Sequence, residues 1–538
     1  MCADPIDRTI RPAVNRRPAV LRILALACLL GAAGSLAATA RAAKATGLER
    51  SAGGPQTSPP ESATLTIDWT KVVRTSNTTP TLQVVVNPLL RRGASIHEKA
   101  FQALKDLGCD YVRYVPWLPY PRLAVPALDA PANGRTSWDF SLIDPMTLDF
   151  LDAQKGHSIV LNFSTIPAWM FKTDKPVSYP ADPDQPVWDY TQGTDLRDPT
   201  GKEQGEYFAR LVSWYTQGGF TDEFGKRHES DHKRKIDYWE VLNEPDLEHK
   251  PTPEKYTIWY DAVVSAIHDV SPGTKFVGIS LAAPGRAPEF FEYFLNPKNH
   301  KAGLPLDAIS YHFYAVPALD HTPEIQQFTF FEQAERFLDT VRYIETIRKR
   351  YSPQTITMIN EIGSISADDL LQFQPGHVAK LIPDSYWNLS GALYAYLFSE
   401  LSHIGIDVAG ESQLVGYPTQ FPSVTMVDWR DGRPNARYWV LKLLHDNFGP
   451  GDKLVETKVT LPENQSYVHA RGYVARDGAR KILLVNKRDR PFEIVLPAGA
   501  ARADMVDQTT AFNPPATRQV AGGKMALPGL GVAVVTLQ

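Results

Sequence analysis

The chain has 538 residues, of which 43% are hydrophobic, so it can bury a large core and is too long for one ordinary domain. Its 56 basic and 60 acidic residues give a formal net charge of -4. Because binding of a phosphate backbone needs a broad excess of positive charge, this balance argues against a nucleic-acid partner.

The first 42 residues have the pattern of an export signal. Basic residues from Arg8 to Arg22 precede an apolar stretch from Ile23 to Ala38, and Ala40-Arg41-Ala42 resembles an A-x-A cleavage site. The apolar stretch is short for a membrane span. We therefore predict that residues 1–42 are a signal peptide and that the mature protein is secreted or periplasmic, with no membrane contact after signal removal.

Residues 43–62 are rich in Gly, Ser, Pro and Ala, which is typical of a flexible linker. From residue 63 to residue 448, short strand-like stretches alternate with segments of helical period. The strand-like stretches are residues 81–86, 111–115, 159–163, 237–243, 276–279, 308–312, 356–359 and 407–409. These eight βα units predict an α/β protein with a (β/α)8 TIM barrel and inserted loops, and an open doubly wound sheet is the alternative.

Two helices carry recognisable end signals. Ser95 and Glu98 are spaced as a capping box at the start of the first helix, and Gly108 is placed to end it. Thr252 is the predicted N-cap of the helix after the fourth strand, with Pro253 in its first position.

The pattern changes beyond residue 448. Residues 449–538 contain short alternating strands between turns rich in Gly, Pro, Asn and Asp, which predicts a small antiparallel, β-sandwich-like accessory domain. Residues 63–75 include one more alternating stretch, so we expect that segment to offer this domain an additional strand.

Polar residues at the ends of two barrel strands are the candidates for chemistry. The fourth strand ends in Asn243-Glu244-Pro245, and the seventh ends in Glu361. Catalytic groups of (β/α)8 barrels lie at the carboxyl ends of the strands, so these two carboxylates are expected to face each other. A carboxylate pair about 5 to 5.5 Å apart is what hydrolysis of a glycosidic bond with retention requires.

These motifs resemble those of clan A glycoside hydrolases, and the best match is glycoside hydrolase family 39. Further similarity lies in Ser310-Tyr311-His312-Phe313-Tyr314, in Pro167-Ala168-Trp169-Met170, and in Trp429 ahead of residues 434–439. The resemblance covers about residues 65–537. It implies a retaining, β-xylosidase-like enzyme that acts on an oligosaccharide, polysaccharide or other glycoside without a cofactor or metal.

The resemblance also implies roles for individual residues. Glu244 is implied as the acid/base and Glu361 as the nucleophile. The implied substrate-binding residues are Asn243 at the sugar 2-hydroxyl, His312 and Tyr314 beside Glu361, Arg113 as the cation that keeps Glu361 ionised, and Trp169 or Trp429 as a stacking platform. Arabinose-releasing, iduronidase-like and endo-acting specificities are alternatives within the family, and a non-catalytic carbohydrate-binding protein is the alternative from another class.

Two further glutamates and one motif that resembles a metal site have both a functional and a structural interpretation. Glu240 lies deeper in the fourth strand, so we expect it to pair with a cation such as Arg113. Glu411, near the eighth strand, is the rival candidate for a catalytic role. The string from His228 to His232 matches the H-E-x-x-H motif of zinc proteases, but its charged surroundings indicate a solvated loop and no metal site.

Overall fold

The computed structural model describes residues 61–175, 177–188, 193–374 and 376–538. The predicted signal peptide and most of the predicted linker lie outside the described residues. Within the described ranges, no helix combines the length and apolar character that a membrane crossing requires.

Ten of the first eleven strands supply the barrel and a small hairpin, and β1 belongs to a second sheet. They are β1 (Ser62–Thr75), β2 (Thr79–Val85), β3 (Val112–Val115), β4 (Ile159–Leu161), β5 (Gly219–Thr221), β6 (Arg227–Glu229), β7 (Tyr238–Glu240), β8 (Lys275–Leu281), β9 (Ala308–Ala315), β10 (Ile356–Ser364) and β11 (Val408–Glu411). Strands β2, β3, β4, β7, β8, β9, β10 and β11 form a closed parallel barrel in that order. The predicted barrel is therefore confirmed, and the open doubly wound sheet is wrong.

Helices connect the barrel strands. They are α1 (His97–Leu107), α2 (Asp144–Ala153), α3 (Lys202–Thr216), α4 (Pro245–Glu248), α5 (Pro253–Val270), α6 (Pro288–Phe294), α7 (Pro323–Tyr351), α8 (Asp384–Ile404) and α9 (Ala436–Asn447). Strands such as β2 are buried along their whole length because helices cover one face and the barrel interior covers the other.

Side chains fill the barrel interior in layers. One apolar layer comes from six neighbouring strands and consists of Val160, Tyr238, Val277, Ala308, Met358 and Val408. These residues lie near the amino ends of their strands, so this end of the barrel is closed. The polar residues of the interior, beginning with Glu240, lie above the layer toward the carboxyl ends.

One of the two predicted helix starts is correct. The hydroxyl of Thr252 accepts the backbone N–H of Lys255 at the start of α5, as the sequence predicts. The capping box is wrong, because α1 begins after Ile96 without a side-chain cap. Ile96 is buried, so packing of this residue fixes the start of the helix.

The remaining strands form the second sheet together with β1. They are β12 (Lys453–Thr460), β13 (Val468–Val474), β14 (Arg480–Asn486), β15 (Phe492–Val495), β16 (Ala500–Val506), β17 (Ala516–Gln519), β18 (Lys524–Leu527) and β19 (Val532–Leu537). The nine strands follow the order β17-β16-β19-β14-β13-β12-β1-β15-β18. Strand β1 is antiparallel to β12 but parallel to β15, so the domain that was predicted to be antiparallel contains one parallel pair.

This sheet packs on the barrel through the last two helices. His469 lies 2.8 Å from the hydroxyl of Ser399 on α8, and Arg471 forms an ion pair of 2.7 Å with Glu400 on the same helix. The indole of Trp439 on α9 donates to the carbonyl of Phe512. The carboxyl ends of the barrel strands carry the polar groups that are described next.

Candidate active site

Three strand ends carry the carboxyl pair and the imidazole beside it. Glu361 lies within β10, directly opposite His312 on β9. Glu244 follows the end of β7, and its backbone N–H donates to the carbonyl of Ser280 on β8. Because all strands of the barrel are parallel, the carboxyl ends of β7, β9 and β10 bring these groups to one rim of the barrel.

Glu244 and Glu361 face each other. One oxygen of each carboxyl group and one ring nitrogen of His312 all lie within 4.8 Å of one another. His312 Nδ1 is 2.9 Å from Glu244 Oε1 and 3.6 Å from Glu361 Oε1. This spacing fits the separation of about 5 to 5.5 Å that a retaining glycosidase needs, and it is shorter than the separation of about 6.5 to 9.5 Å in inverting enzymes.

Arg113 lies below this pair and is fully buried. Its guanidinium donates to Glu240 Oε2 at 2.5 Å, to Glu361 Oε1 at 2.5 Å and to Asn243 Oδ1 at 2.7 Å. It also donates to Gln83 at 2.8 Å. Since a buried guanidinium must be paired, Arg113 fixes Glu361 and Asn243 at the same time.

Glu240 pairs with Arg113, as its position deep in β7 predicts. Besides Arg113, its carboxylate accepts hydrogen bonds from Asn162, from the hydroxyl of Ser310 at 2.5 Å and from Asn360 at 2.7 Å. Both oxygens are therefore used within the protein. Glu240 supports Arg113 and has no oxygen free for a substrate.

Tyr314 contacts the other oxygen of Glu361. Its hydroxyl donates to Glu361 Oε2 at 2.7 Å and lies 2.6 Å from Ser412 Oγ. Both oxygens of Glu361 therefore accept a hydrogen bond from a fixed donor, which favours the ionised carboxylate.

The two carboxyl groups have pKa values shifted in opposite directions. Burial and the charge of Glu361 raise the pKa of Glu244, and the hydrogen bond and charge of His312 only partly oppose this. For Glu361, burial acts to raise the pKa, but the charges of His312 and Arg113 and the hydrogen bonds of Tyr314 and Arg113 together lower it. At a given pH, Glu244 therefore retains a proton more readily than Glu361, which is the division of roles that an acid and a nucleophile require.

His312 lies between these groups. Burial acts to lower the pKa of its imidazole, but the charge of Glu361 and the hydrogen bond to Glu244 outweigh burial and raise it. Its other nitrogen is 3.1 Å from Ser280 Oγ. Glu244, His312 and Glu361 are also the one group in the described ranges spaced to hold a metal ion. The hydrogen-bond distance between His312 and Glu244 accounts for their proximity without an ion.

The backbone beside the site is strained. Leu242, Glu244, Ile279 and Ser280 have φ values of 66°, 41°, 77° and 51°, in the left-handed region that non-glycine residues rarely adopt. Tyr256 on α5 holds both segments, because its hydroxyl donates to the carbonyl of Val241 and accepts the N–H of Ile279. Strain of this kind is characteristic of functional sites, where the surrounding structure enforces it.

Two residues missed by the sequence analysis join the site from the loop side. The indole of Trp117, just after β3, donates to Glu248 Oε1 at 2.8 Å, and the amide of Asn243 donates to the same oxygen at 2.9 Å. Burial and the charges of Glu244 and Glu361 raise the pKa of Glu248 to about 8, although these two hydrogen bonds oppose the shift. Position 248 is four residues after Glu244, one helical turn away, and that spacing was the available signal.

The two predicted stacking tryptophans are engaged elsewhere. The indole N–H of Trp169 donates to the carbonyl of Ala127, and the guanidinium of Arg197 lies 4.6 Å from the centre of the Trp169 ring. The guanidinium of Arg430 lies 5.8 Å from the ring centre of Trp429. Both rings also pack partly against the barrel core.

A different aromatic cluster is linked to the site through Trp117. We call it the aromatic wall, and its half-buried members are Trp117, Trp188, Phe373 and Phe421. The ring of Trp188 lies 5.3 Å from Trp117, 4.8 Å from Phe373 and 5.7 Å from Phe421, each in an edge-on arrangement. Its members come from loops after four different barrel strands, so sequence spacing does not connect them.

The remaining sequence candidates are structural. Glu411 is fully buried and forms an ion pair of 2.9 Å with Arg437, while burial raises the pKa of Glu411 to about 7. His228 lies in the β5–β6 hairpin and contacts Asp222 at 2.8 Å. His232 lies 3.0 Å from a different carboxylate, that of Asp144. The two histidines of the zinc-protease string therefore serve separate contacts.

The protein therefore has the (β/α)8-barrel fold, and the facing carboxyl groups lie at the carboxyl-end rim of that barrel. No family profile matches the chain, and no curated protein matches it in sequence. Solved structures match it over most of its length.

The GH51 arabinofuranosidase from Xanthomonas axonopodis pv. citri matches with a TM-score of 0.62 and 13% identity, covering 89% of this chain and 100% of that one. An alpha-L-arabinofuranosidase from Thermotoga maritima matches with a TM-score of 0.58 and 12% identity, covering 89% and 99%. A GH30 endoxylanase from Clostridium papyrosolvens matches with a TM-score of 0.52 and 13% identity, covering 89% of this chain and 100% of that one. At such identities the likeness is one of fold, and membership of family 39 is not confirmed by these matches.

Proposed function

We propose that the protein is a retaining glycoside hydrolase in which Glu361 is the nucleophile and Glu244 is the acid/base. The observation that carries the proposal is the facing pair itself, with oxygens within 4.8 Å and pKa values shifted in opposite directions. Two carboxyl groups of this kind perform both steps of a double displacement.

In the first step, an ionised oxygen of Glu361 attacks the anomeric carbon of the sugar. The bond between that carbon and the leaving oxygen breaks, and the proton of Glu244 passes to the leaving oxygen. Arg113 and Tyr314 hold Glu361 ionised and oriented for the attack. The product is a covalent ester between the sugar and Glu361, with Glu244 left as a carboxylate.

In the second step, Glu244 takes a proton from a water molecule. The water oxygen bonds to the anomeric carbon, the ester bond to Glu361 breaks, and both carboxyl groups return to their starting states. His312, whose Nδ1 lies 2.9 Å from Glu244 Oε1, orients this carboxyl group in both steps. Because each step inverts the anomeric centre, the overall result is retention.

We propose that the glycosides of pentoses are the substrates, with β-xylosides first and α-L-arabinofuranosides second. The sequence motifs that resemble family 39 favour the xylosides, and the names of the solved neighbours include arabinofuranosidases and an endoxylanase. In this proposal Asn243 binds the sugar 2-hydroxyl, and the hydrogen bond from Arg113 to its amide oxygen supports that role by fixing the amide. The export signal proposed for residues 1–42 fits a secreted or periplasmic enzyme that meets such glycosides outside the cytoplasm.

A panel of 4-nitrophenyl glycosides, assayed on the purified mature protein, tests the activity and identifies the sugar. Glu361→Ala is expected to lose about 10⁴-fold or more of kcat/KM, as when a covalent catalytic group is removed. Glu98→Ala, in which an exposed glutamate of α1 is removed, is the matched control and is expected to keep full activity. Undiminished hydrolysis by Glu361→Ala would refute the nucleophile assignment, and binding of sugars without any hydrolysis would favour a non-catalytic carbohydrate-binding protein.

Glu244→Ala tests the acid/base role separately. Substrates with activated leaving groups need no proton, so their first step is expected to persist, whereas poor leaving groups lose about 10²- to 10⁴-fold. Added azide is expected to replace water in the second step and to give a glycosyl azide of retained configuration. Equal losses for both kinds of leaving group would contradict the assignment of Glu244.

A further inference from the structure

Glu248 has contacts that the two-step reaction does not explain. One of its oxygens, Oε1, accepts hydrogen bonds from two side chains, the indole of Trp117 and the amide of Asn243. The other oxygen, Oε2, is buried and has no hydrogen-bond partner among the described residues. A carboxyl group in this position therefore joins two parts of the site through a single oxygen.

Burial and the nearby carboxyl groups disfavour the ionised form of Glu248. Burial is the larger cause, and the charges that raise the pKa of Glu248 are those of Glu244 on the same turn and Glu361 on β10. The cations of the site lie one contact farther away, Arg113 on Asn243 and His312 on Glu244. Trp117 and Asn243, the groups that contact it directly, are neutral. An ionised Glu248 would bury a negative charge with one unpaired oxygen beside two other acids, which is costly. The raised pKa of Glu248, about 8, agrees with this geometry.

The contacts of Asn243 show what Glu248 does for its neighbour. The amide oxygen of Asn243 accepts from Arg113 at 2.7 Å, and its amide nitrogen donates to Glu248 at 2.9 Å. With one partner on each side, the amide has one orientation and is unable to flip. An Asn amide has two N–H groups, so the second N–H is left to donate to a substrate hydroxyl.

We propose that Glu248 is a positioning residue, which in its neutral acid form holds the amide of Asn243 in the orientation for the substrate and joins the aromatic wall to the catalytic pair. This role rests on the proposed function, because the reacting groups are Glu244 and Glu361. The hydrogen bonds from Asn243 and Trp117 favour an ionised Glu248, but burial with one unpaired oxygen and repulsion from Glu361, and from Glu244 when it is also ionised, outweigh them and drive the carboxylate toward water. Asn243 and Trp117 are then released.

A double-mutant cycle tests the link to Asn243. The variants are Asn243→Ala, Glu248→Ala and the combination of both, assayed on 2,4-dinitrophenyl β-D-xyloside or on the 2,4-dinitrophenyl glycoside that the panel selects. Glu248→Ala is expected to lose roughly 10- to 100-fold in kcat/KM, as for a misplaced binding group. If Glu248 acts through Asn243, the combined variant loses no more than Asn243→Ala alone, whereas losses that multiply would overturn the proposal.

The pH profile of Glu248→Gln tests the neutral form, and this variant also serves if Glu248→Ala fails to fold. Gln keeps an oxygen that accepts both hydrogen bonds and does not ionise. On the dinitrophenyl substrate, kcat/KM needs no proton from Glu244, so a fall near pH 8 in the wild type reports another group. We expect Glu248→Gln to keep activity at pH 6.5 and to move this fall to higher pH.

Asp407→Asn is the matched control for the pH experiment. Asp407 is another carboxyl group whose pKa burial raises, and it precedes β11 at the opposite rim of the barrel. This variant is expected to leave the alkaline limb in place. Identical alkaline limbs in the wild type and Glu248→Gln would overturn the role of Glu248 while leaving a Glu361-dependent hydrolase intact. A wild type that hydrolyses no glycoside would remove the basis of both proposals.

Discussion

Replacing Tyr314 by Phe removes one hydroxyl from the proposed nucleophile and leaves the ring in place. The hydroxyl donates to Glu361 Oε2 at 2.7 Å, and Glu361 is almost fully buried. A hydrogen bond to a charged group contributes about 1.5 to 3 kcal/mol. Since one pKa unit corresponds to about 1.36 kcal/mol, the pKa of Glu361 is expected to rise by about 1 to 2 units in Tyr314→Phe.

The sign of this effect follows from the reactive state. In the proposed mechanism Glu361 attacks as the carboxylate. Because its pKa is held below its usual value, protonation of Glu361 lowers kcat/KM only at low pH. Tyr314→Phe is expected to move this acid limb to higher pH by about 1 to 2 units. The smaller shift, of about 1 unit, is expected if the hydroxyl of Ser412, which lies 2.6 Å from that of Tyr314, turns toward Glu361 and replaces part of the lost hydrogen bond.

The assay measures kcat/KM between pH 3 and pH 8 for an aryl glycoside with an activated leaving group. Such a leaving group departs without a proton from Glu244, so the titration of Glu244 does not affect the acid limb. Tyr396→Phe is the matched control, because Tyr396 lies on α8 and its hydroxyl donates at 2.5 Å to a different carboxylate, that of Glu335 on α7. An acid limb that stays in place in Tyr314→Phe, or that moves equally in Tyr396→Phe, would refute the reasoning.

Three further outcomes are expected. Arg113→Met leaves the carboxylate of Glu240 buried without a cation, so the free energy of unfolding in urea is expected to fall by about 3 to 5 kcal/mol, and an unchanged value would contradict the pairing. Burial acts to raise the pKa of Asp222, but hydrogen bonds from His228 and the hairpin backbone lower it to about 2, so its stabilisation is present above about pH 4 and is lost toward pH 2. Asp222→Asn is therefore expected to reduce the loss of unfolding free energy between about pH 4 and pH 2. An equal loss in the wild type and the variant would contradict this role of Asp222. Treatment with EDTA is expected to leave hydrolysis unchanged, and a loss restored by one divalent ion would assign Glu244, His312 and Glu361 to a metal site.

The barrel was predictable because its signal is periodic. Eight strand-like stretches separated by helical segments specify the closed sheet, and all eight coincide with observed strands. Their ends were less predictable. The seventh stretch was expected at residues 356–359, but β10 continues to Ser364 because its pairing with β9 extends past a bulge. The expected fourth strand is shorter, ending at Glu240 where the strained turn begins.

In the candidate site, too, the residues at strand ends were predictable and the residues in loops were not. Glu244, Glu361 and Asn243 stand in short motifs at strand ends, so their meeting at one rim follows from the barrel alone. The positions of the stacking residues do not follow from the barrel, because a tryptophan in a loop has no periodic position in the sequence. Trp169 was therefore chosen by resemblance, whereas Trp117 is the tryptophan whose indole reaches the site. Its contact depends on how separate loops close over the rim, which only the folded structure reveals.

The position of β1 has a consequence for how this protein assembles. This strand lies between β12 and β15, and Thr64 pairs with Thr460, so the barrel is inserted within the chain of the second domain. The middle of that domain's sheet therefore closes only after the whole barrel has been made, and contacts so distant in sequence form slowly. A chain lacking residues 62–75 would expose two strand edges at the centre of the sheet, so we expect it to aggregate even though all the proposed catalytic residues remain.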